Sequence, residues 1–173
     1  MIVWATAETG HRGSFEAFNE KFVCALGAGG VAKQKREGDL KSPAGQFPLR
    51  EVLYRADRLD RPSTGLPLRP IRPSDGWCDA PSDNAYNRPV ELPYHASAEN
   101  LWREDNIYDL VVVIGYNDNP VRKCLGSAIF LHVATHEYGP TKGCVALAYD
   151  DLLAIVRRLD ACAEILIGGP VSG

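Results

Sequence analysis

"SAIFLHVATHEYGPTKGCVAL", Ser127–Leu147, opens with an apolar run that carries a histidine, His132, into a Gly139-Pro140 turn. It leaves that turn on a cysteine behind a glycine, Gly143-Cys144. The run Ser127–Ala134 has the length of a buried strand and is too short for a buried helix. "IYDLVVVIGY", Ile107–Tyr116, reads the same way. Asn117-Asp118-Asn119-Pro120 and the stretch to Gly126 would join the two as a hairpin with a broad loop. Two buried strands meeting at a histidine point to a β-rich fold with chemistry at a strand end.

Outward from this pair the β signal continues. "MIVWATA" reads as a first strand, and "AGGVAKQKREGDLKSPAGQFPLREVLYR" alternates turn chemistry with short β-prone pieces, as successive antiparallel strands do. Between them two readings stand: Phe15, Phe18 and Phe22 have helical spacing, while "KFVCALG" reads as a strand closed by "GAGG". Downstream, "AYDDLLAIVRRLD" is a short amphipathic helix with Leu152, Leu153, Val156 and Leu159 on its apolar face. Asp150 and Asp151 sit in its first turn and Arg157 and Arg158 in its last, as the helix dipole favours. "AEILIGG" closes the chain as a strand. From about Asp57 to Asn106 the character changes, with seven of the twelve prolines. Proline removes ladder donors, so this segment is expected to be a long Pro-rich loop rather than sheet interior, and loops of that length often act as lids. Read as an interdomain linker it would leave neither flank with a full core, so one domain over residues 1–173 is expected, β-rich α+β in class.

Composition removes several function classes. A formal charge of -3 and a pI near 5.8, with no basic run, argue against a nucleic-acid partner. No apolar stretch approaches the ~18 residues a membrane span needs. The N-terminus has no basic leader, apolar core or cleavage site, so a cytoplasmic protein is expected, or a periplasmic one if the start is truncated. Cys24, Cys78, Cys124, Cys144 and Cys162 are odd in number and lack metal-ligand pairs, which fits buried thiols in a reducing compartment. Only Cys144 has a context that suggests more.

A thiolate, not a thiol, is the nucleophile, and a free cysteine near pKa ~8.5 needs an imidazole or a positive charge beside it. A strand that delivers His132 and a turn that returns Cys144 beside it would supply this pair. Gly143 clears space for substrate, and the Gly143 and Cys144 amides are natural oxyanion donors. A core histidine and a core cysteine give the same spacing with no chemistry. Zinc held by His132, His136 and Cys144 is a third reading. On a continuous strand, however, the two histidines would lie ~13 Å apart at ~3.3 Å per residue, too far for one ion. Neither a metal nor another cofactor is expected, and His136 reads as a solvated turn residue.

Gly126–Leu147 resembles the catalytic signature of the L,D-transpeptidase family, the YkuD domain, in which a strand histidine precedes a Ser/Thr-His-Gly-Cys box. "KREGDLKSPAGQFPL", Lys35–Leu49, is similar to that family's Lys-x-Gly-x-x-Thr-Pro-x-Gly-x-Phe stretch, with Ser42 in place of threonine. "GWCDAPSDNAYNRPVELP" and "LWREDNIYDLVVVIGYN" resemble a subgroup of the same family. The resemblance implies a YkuD-like antiparallel β-sandwich with short helices. It also implies Cys144 as nucleophile, His132 as base oriented by a backbone carbonyl, and Thr141 and Gly143 in their places in the box. Departures accompany it. Lys142 stands where the box has histidine, Ala146 where arginine or asparagine is common, and Val133 where glycine usually follows the strand histidine. The loop from His132 to Cys144 is also short.

The resemblance implies attack on the carbonyl between a diamino acid's L-centre and a terminal D-alanine of a peptidoglycan stem peptide. An acyl-enzyme results, and carbapenems would acylate the same thiol. An amine acceptor gives 3-3 crosslinks (L,D-transpeptidase); water gives a shortened peptide (L,D-carboxypeptidase). With no export signal, soluble muropeptides are the expected partners, and a carboxypeptidase of cell-wall recycling the expected function. The D-alanine carboxylate calls for a cation, from Arg88, Lys35, Arg36 or Lys142. Thr141 and Tyr116 are further candidates for the substrate site, and Trp77, Tyr86 and Asn87 either line the cleft or anchor the Pro-rich segment. A noncatalytic wall-binding module would tolerate loss of Cys144. A papain-like amidase would need an Asn or Asp after Cys144 to orient the histidine, and none suits that role clearly.

Overall fold

In the computed structural model, which describes residues 1–168, strand β1 (Ile2–Thr9) sends Val3, Ala5 and Ala7 inward by simple alternation and leaves Trp4 outside. β2 (Arg12–Ala17) and β3 (Glu20–Ala25) follow as a hairpin closed by Phe18 and Asn19, both at positive φ, the geometry of a two-residue turn. The helical option for Phe15, Phe18 and Phe22 is thereby overturned. Phe15 is fully buried on β2, whereas Phe18 is a turn residue lying under the Arg158 guanidinium.

Short β4 (Val31–Ala32) and β5 (Ser42–Pro43) bracket a turn-rich excursion, and the long β6 (Gly45–Tyr54) follows. The Pro-rich segment is not the structureless loop that its composition suggests. It contains β7 (Leu68–Pro70), β8 (Asp75–Cys78), β9 (Pro89–Glu91) and β10 (Ala98–Asn100). Its prolines obey the ladder rule by position, since Pro89 begins an edge strand and Pro70 ends one. Then come β11 (Leu110–Ile114), β12 (Phe130–Val133), β13 (Val145–Leu147), helix α1 (Tyr149–Val156) and β14 (Glu164–Gly168). Gly169, the last residue of the expected closing strand, lies outside the described residues. α1 buries Leu152, Ile155 and Val156; Leu153 is only partly buried, so the apolar face is rotated toward Ile155.

The main sheet runs β11-β12-β13-β3-β2-β1-β14-β6-β7, and β6 also pairs with β11, which closes the sheet on itself. It is mixed rather than wholly antiparallel. β1 and β14, β12 and β13, and β6 and β7 run parallel. A separate sheet, β10-β8-β9, packs outside.

This double layering explains why β11 reads as an unbroken apolar run. Leu110, Val112 and Ile114 enter the main core inside the closed sheet. Val111 and Val113 face a second core, with Leu53, Trp77, Tyr108, Phe130 and Cys144, beneath the small sheet. A strand covered on both faces has no reason to alternate.

Asn87 ties the small sheet to the large one. Its Oδ1 accepts hydrogen bonds from Trp77 Nε1 (3.0 Å) and the Ala128 amide (3.0 Å), and its Nδ2 donates to the Tyr116 (3.0 Å) and Asn117 (2.8 Å) carbonyls. Asn87→Ala is expected to cost ~3–5 kcal/mol, because two buried and two partly buried partners lose one group at once. At ~2–4 °C per kcal/mol for a chain of this size, a thermal melt should fall by roughly 10 °C. A shift under about 3 °C would remove the residue from this role.

Candidate active site

The parallel register of β12 and β13 creates the site. His132 pairs with Ala146 and Leu131 with Val145, so Cys144, one step before β13, lies alongside Phe130. Alternation then puts Phe130 and His132 on one face of β12, and Cys144 and Ala146 on the same face of the neighbouring strand, ~5 Å away. The return from His132 to Cys144 is therefore a crossover between parallel strands, not a hairpin. His132 and Cys144 both line a cavity of about 300 Å³ between the two sheets.

His132 is buried, and its Nδ1 lies 2.9 Å from the Val133 carbonyl oxygen. Donation of the Nδ1 proton to that carbonyl leaves the lone pair on Nε2. The edge of the Tyr108 ring packs against the imidazole with centroids 5.4 Å apart, and the Tyr108 hydroxyl donates to Glu99 at 2.6 Å. Burial lowers the His132 pKa to about 4, against the opposing help of the Val133 carbonyl, so the ring is neutral above that pH.

The Cys144 Sγ accepts from the Phe130 amide and donates to the Ala128 carbonyl, each at 3.3 Å. Burial raises this thiol to about 12, with the Glu99 charge adding to the rise and the Phe130 amide and Lys35 opposing it. Burial therefore works against the thiolate expected from the sequence and favours the neutral thiol. In this state the pair is neutral thiol and neutral imidazole, because desolvation outweighs the nearby positive charge.

Two motifs far apart in sequence hold the Cys144 backbone. Thr141 Oγ1 donates to the Cys144 carbonyl at 2.7 Å and accepts from the Gly143 amide at 3.1 Å. Ser42 Oγ donates to the same carbonyl at 3.3 Å and accepts from the Gly27 amide at 2.9 Å. Gly143 has φ +133, and a Cβ there would stand 2.7 Å from the Lys41 carbonyl oxygen, so only glycine fits. Because Thr141 occupies the Gly143 amide, the Cys144 amide is the better oxyanion donor of the two named from sequence.

Of the cations named from sequence, Lys142 lines the cavity, exposed. Lys35 is buried rather than solvated. Its Nζ is 2.7 Å from Asp39 Oδ1 and lies beside Gly143, so it is paired within the fold and is not an open anion site. Arg36 is exposed on the turn before Asp39, and its amide donates to Asp39 Oδ2. Arg88 donates to the Asp118 carbonyl at 2.8 Å, and the Tyr116 hydroxyl to the Leu125 carbonyl at 2.5 Å. None of these three lines the cavity. His136 lines a separate one of about 490 Å³. Among the described residues no group of three His, Cys, Asp or Glu is placed to hold a metal, and no helix is long and apolar enough to cross a membrane.

Sequence reasoning did not find Glu37, Asp79, Glu99, Arg103, Tyr108 and Ser127, which complete the walls. Ser127 Oγ donates to Glu37 at 2.7 Å, and the Tyr86 hydroxyl donates to the same carboxylate. Isolated acids in a Pro-rich stretch carry no periodicity that would single them out; the small sheet brings them in.

The family model for the L,D-transpeptidase catalytic domain, YkuD, matches residues 11–171. None of the curated proteins matches. Among solved structures, Mycobacterium tuberculosis L,D-transpeptidase 1 aligns at a TM-score of 0.41 and 11% identity, over 97% of this chain and 61% of that one. This chain therefore spans less than two thirds of that protein's length.

Proposed function

The chain belongs to the YkuD family of L,D-transpeptidase catalytic domains, and from that premise we propose that it is an L,D-carboxypeptidase acting on peptidoglycan stem tetrapeptides. The observation that carries the reading is the shared face of Cys144 and His132 across the parallel β12–β13 pair, with the imidazole oriented by the Val133 carbonyl.

Chemistry on a neutral pair starts with proton transfer. As Sγ attacks the acyl carbon, His132 Nε2 takes the thiol proton, and the Cys144 amide faces the developing oxyanion. Collapse of the tetrahedral adduct breaks the C–N bond, and the imidazolium returns its proton to the departing amine of D-alanine. Water then attacks the thioester while His132 again accepts a proton, and the shortened peptide leaves with the thiol restored. Thr141 and Ser42 keep the nucleophile's carbonyl fixed throughout.

Hydrolysis is favoured over crosslinking by the walls. Ala146 offers no cation opposite His132, and the cavity is at the small end of ligand sites, which run from about 300 Å³ upward. An acceptor stem must be held near the thioester while water is kept out. The test is to give the purified protein a soluble tetrapeptide ending in meso-diaminopimelate–D-alanine and weigh the products. Tripeptide and free D-alanine should dominate even with excess diaminopimelate amine present. Abundant crosslinked dimer would replace this reading with L,D-transpeptidation through the same residues.

A further inference from the structure

Among the described residues the His132 ring makes one hydrogen bond, from Nδ1 to the Val133 carbonyl at 2.9 Å. That bond fixes the tautomer. It does not aim the ring. The second side-chain torsion of a histidine is broad and roughly two-fold, so a bond to the next residue's carbonyl leaves the plane free to tilt about Nδ1. A further contact must set the tilt if Nε2 is to face the Cys144 sulfur.

Tyr108 makes that contact. Its buried ring meets the imidazole at 76° with centroids 5.4 Å apart, and meets Phe130 at 87° and 5.9 Å. Steep angles at centroid separations of roughly 4.5–7 Å are the favoured geometry of aromatic pairs. Phe130 and His132 alternate onto one face of β12, so one tyrosine ring braces both.

The tyrosine is anchored in turn from outside the main sheet. Its hydroxyl donates to Glu99 on β10 at 2.6 Å, the length of a charge-assisted bond. Glu99 stands directly opposite Trp77 in the β10–β8 pairing. The Trp77 ring lies 5.2 Å from that of Phe130 at 87°, and its Nε1 is fixed by Asn87. Two facing residues of the small sheet thus reach two residues on one face of β12. Trp77 reaches Phe130 directly, and Glu99 reaches His132 through Tyr108. No other hydrogen bond reaches the Glu99 carboxylate among the described residues, so the phenol is its single tether.

We propose that Tyr108 is a positioning residue for the His132 base, anchored at its hydroxyl by Glu99, so that the small sheet sets the tilt of the imidazole toward Cys144. The assignment rests on the Cys144–His132 chemistry above, and it holds whether water or an amine accepts the acyl group. It also gives the Pro-rich segment a task in the reaction, since that segment carries both Trp77 and Glu99.

The experiment separates the bond from the charge and from substrate contact. Tyr108→Phe keeps the ring and loses the anchor. It should lower kcat for the tetrapeptide at least tenfold with KM within about twofold, because a base misplaced by about 1 Å can slow a reaction by ~100-fold. Glu99→Leu should lose as much, and Glu99→Gln, which still offers an oxygen to the phenol, should recover at least fivefold of that loss. The double variant Tyr108→Phe/Glu99→Leu should fall no more than about twofold below the lower single variant, as two changes to one link do. A kcat within twofold of wild type in Tyr108→Phe would overturn the brace. So would a loss confined to KM, which would make Tyr108 a substrate contact, or a Glu99→Gln as slow as Glu99→Leu, which would give the effect to the carboxylate charge. If no tetrapeptide is cleaved the peptidase reading fails, and the brace is judged on the free protein from the nitrogen-15 spectrum of the His132 ring. At pH 7, where the ring is neutral, wild type should show the single tautomer protonated at Nδ1. Tyr108→Phe and Glu99→Leu should show signals averaged between the two tautomers as the ring loosens from the Val133 carbonyl. An unaveraged Nδ1–H tautomer in both variants would overturn the brace on its own terms.

Discussion

Cys144→Ser is expected to reduce tetrapeptide turnover by at least ~10³-fold while leaving the melting temperature within a few degrees, because a serine hydroxyl fits the same space but is a far weaker acid and nucleophile. The Sγ contacts to the Phe130 amide and Ala128 carbonyl can be made by an oxygen with little rearrangement, so the loss would report on chemistry and not on folding. The other thiols give the control. Cys24 is buried in the main core and Cys78 is buried on β8, on the face of the small sheet opposite Trp77, while Cys124 and Cys162 are exposed and away from the cavity. Alanine at Cys124 or Cys162 should leave turnover within a few-fold. Retention of a tenth or more of the wild-type rate by Cys144→Ser would remove the nucleophile from this position.

How much of this was legible in the sequence depended on the kind of signal. His132 and Cys144 stood out because each sits at the edge of an apolar run with a glycine or turn beside it. The resemblance across Gly126–Leu147 and Lys35–Leu49 then tied them to one chemistry, and the docking of Ser42 and Lys41 on the Gly143–Cys144 backbone shows why those two stretches occur together. The parallel sense of β12 and β13 was not legible, since a short loop between strands looks like a hairpin until the register is known. Phe15, Phe18 and Phe22 misled because a two-residue turn at Phe18-Asn19 happens to preserve helical spacing. Lys35 read as a cation free to meet a carboxylate because nothing local announces burial; the partners that bury it, Asp39 and Gly126, are supplied by the turn and by the loop before β12, far along the chain. Arg88 and Tyr116 looked like site residues for the opposite reason. They lie in motifs near the site, yet their polar atoms are consumed in tying loops together.

Replacing His132 should have the second large effect, and its pH dependence distinguishes two ways of running the same chemistry. Burial holds His132 at about 4 and Cys144 at about 12, so between these values the free enzyme contains neutral thiol and neutral imidazole. The sign follows directly. A histidine whose pKa is depressed stays a competent base as pH falls, so kcat/KM should hold through pH 6 and drop only as the pH approaches 4. Alkylation of Cys144 by iodoacetamide should climb steadily toward alkaline pH, without the plateau near neutrality that a preformed thiolate–imidazolium pair gives. His132→Ala removes the proton acceptor and should lower kcat/KM by ~10³-fold or more. The residual rate should rise about tenfold per pH unit, because hydroxide must then generate the thiolate. Free imidazole in the buffer should restore part of it. His136→Ala, which alters a different cavity, should change little. A flat alkylation rate between pH 5 and 8 in the wild type, lost in His132→Ala, would mean that the resting pair is ionised. Desolvation would then have been outweighed by the attraction between the two charges, and the proton would already have moved before substrate arrives.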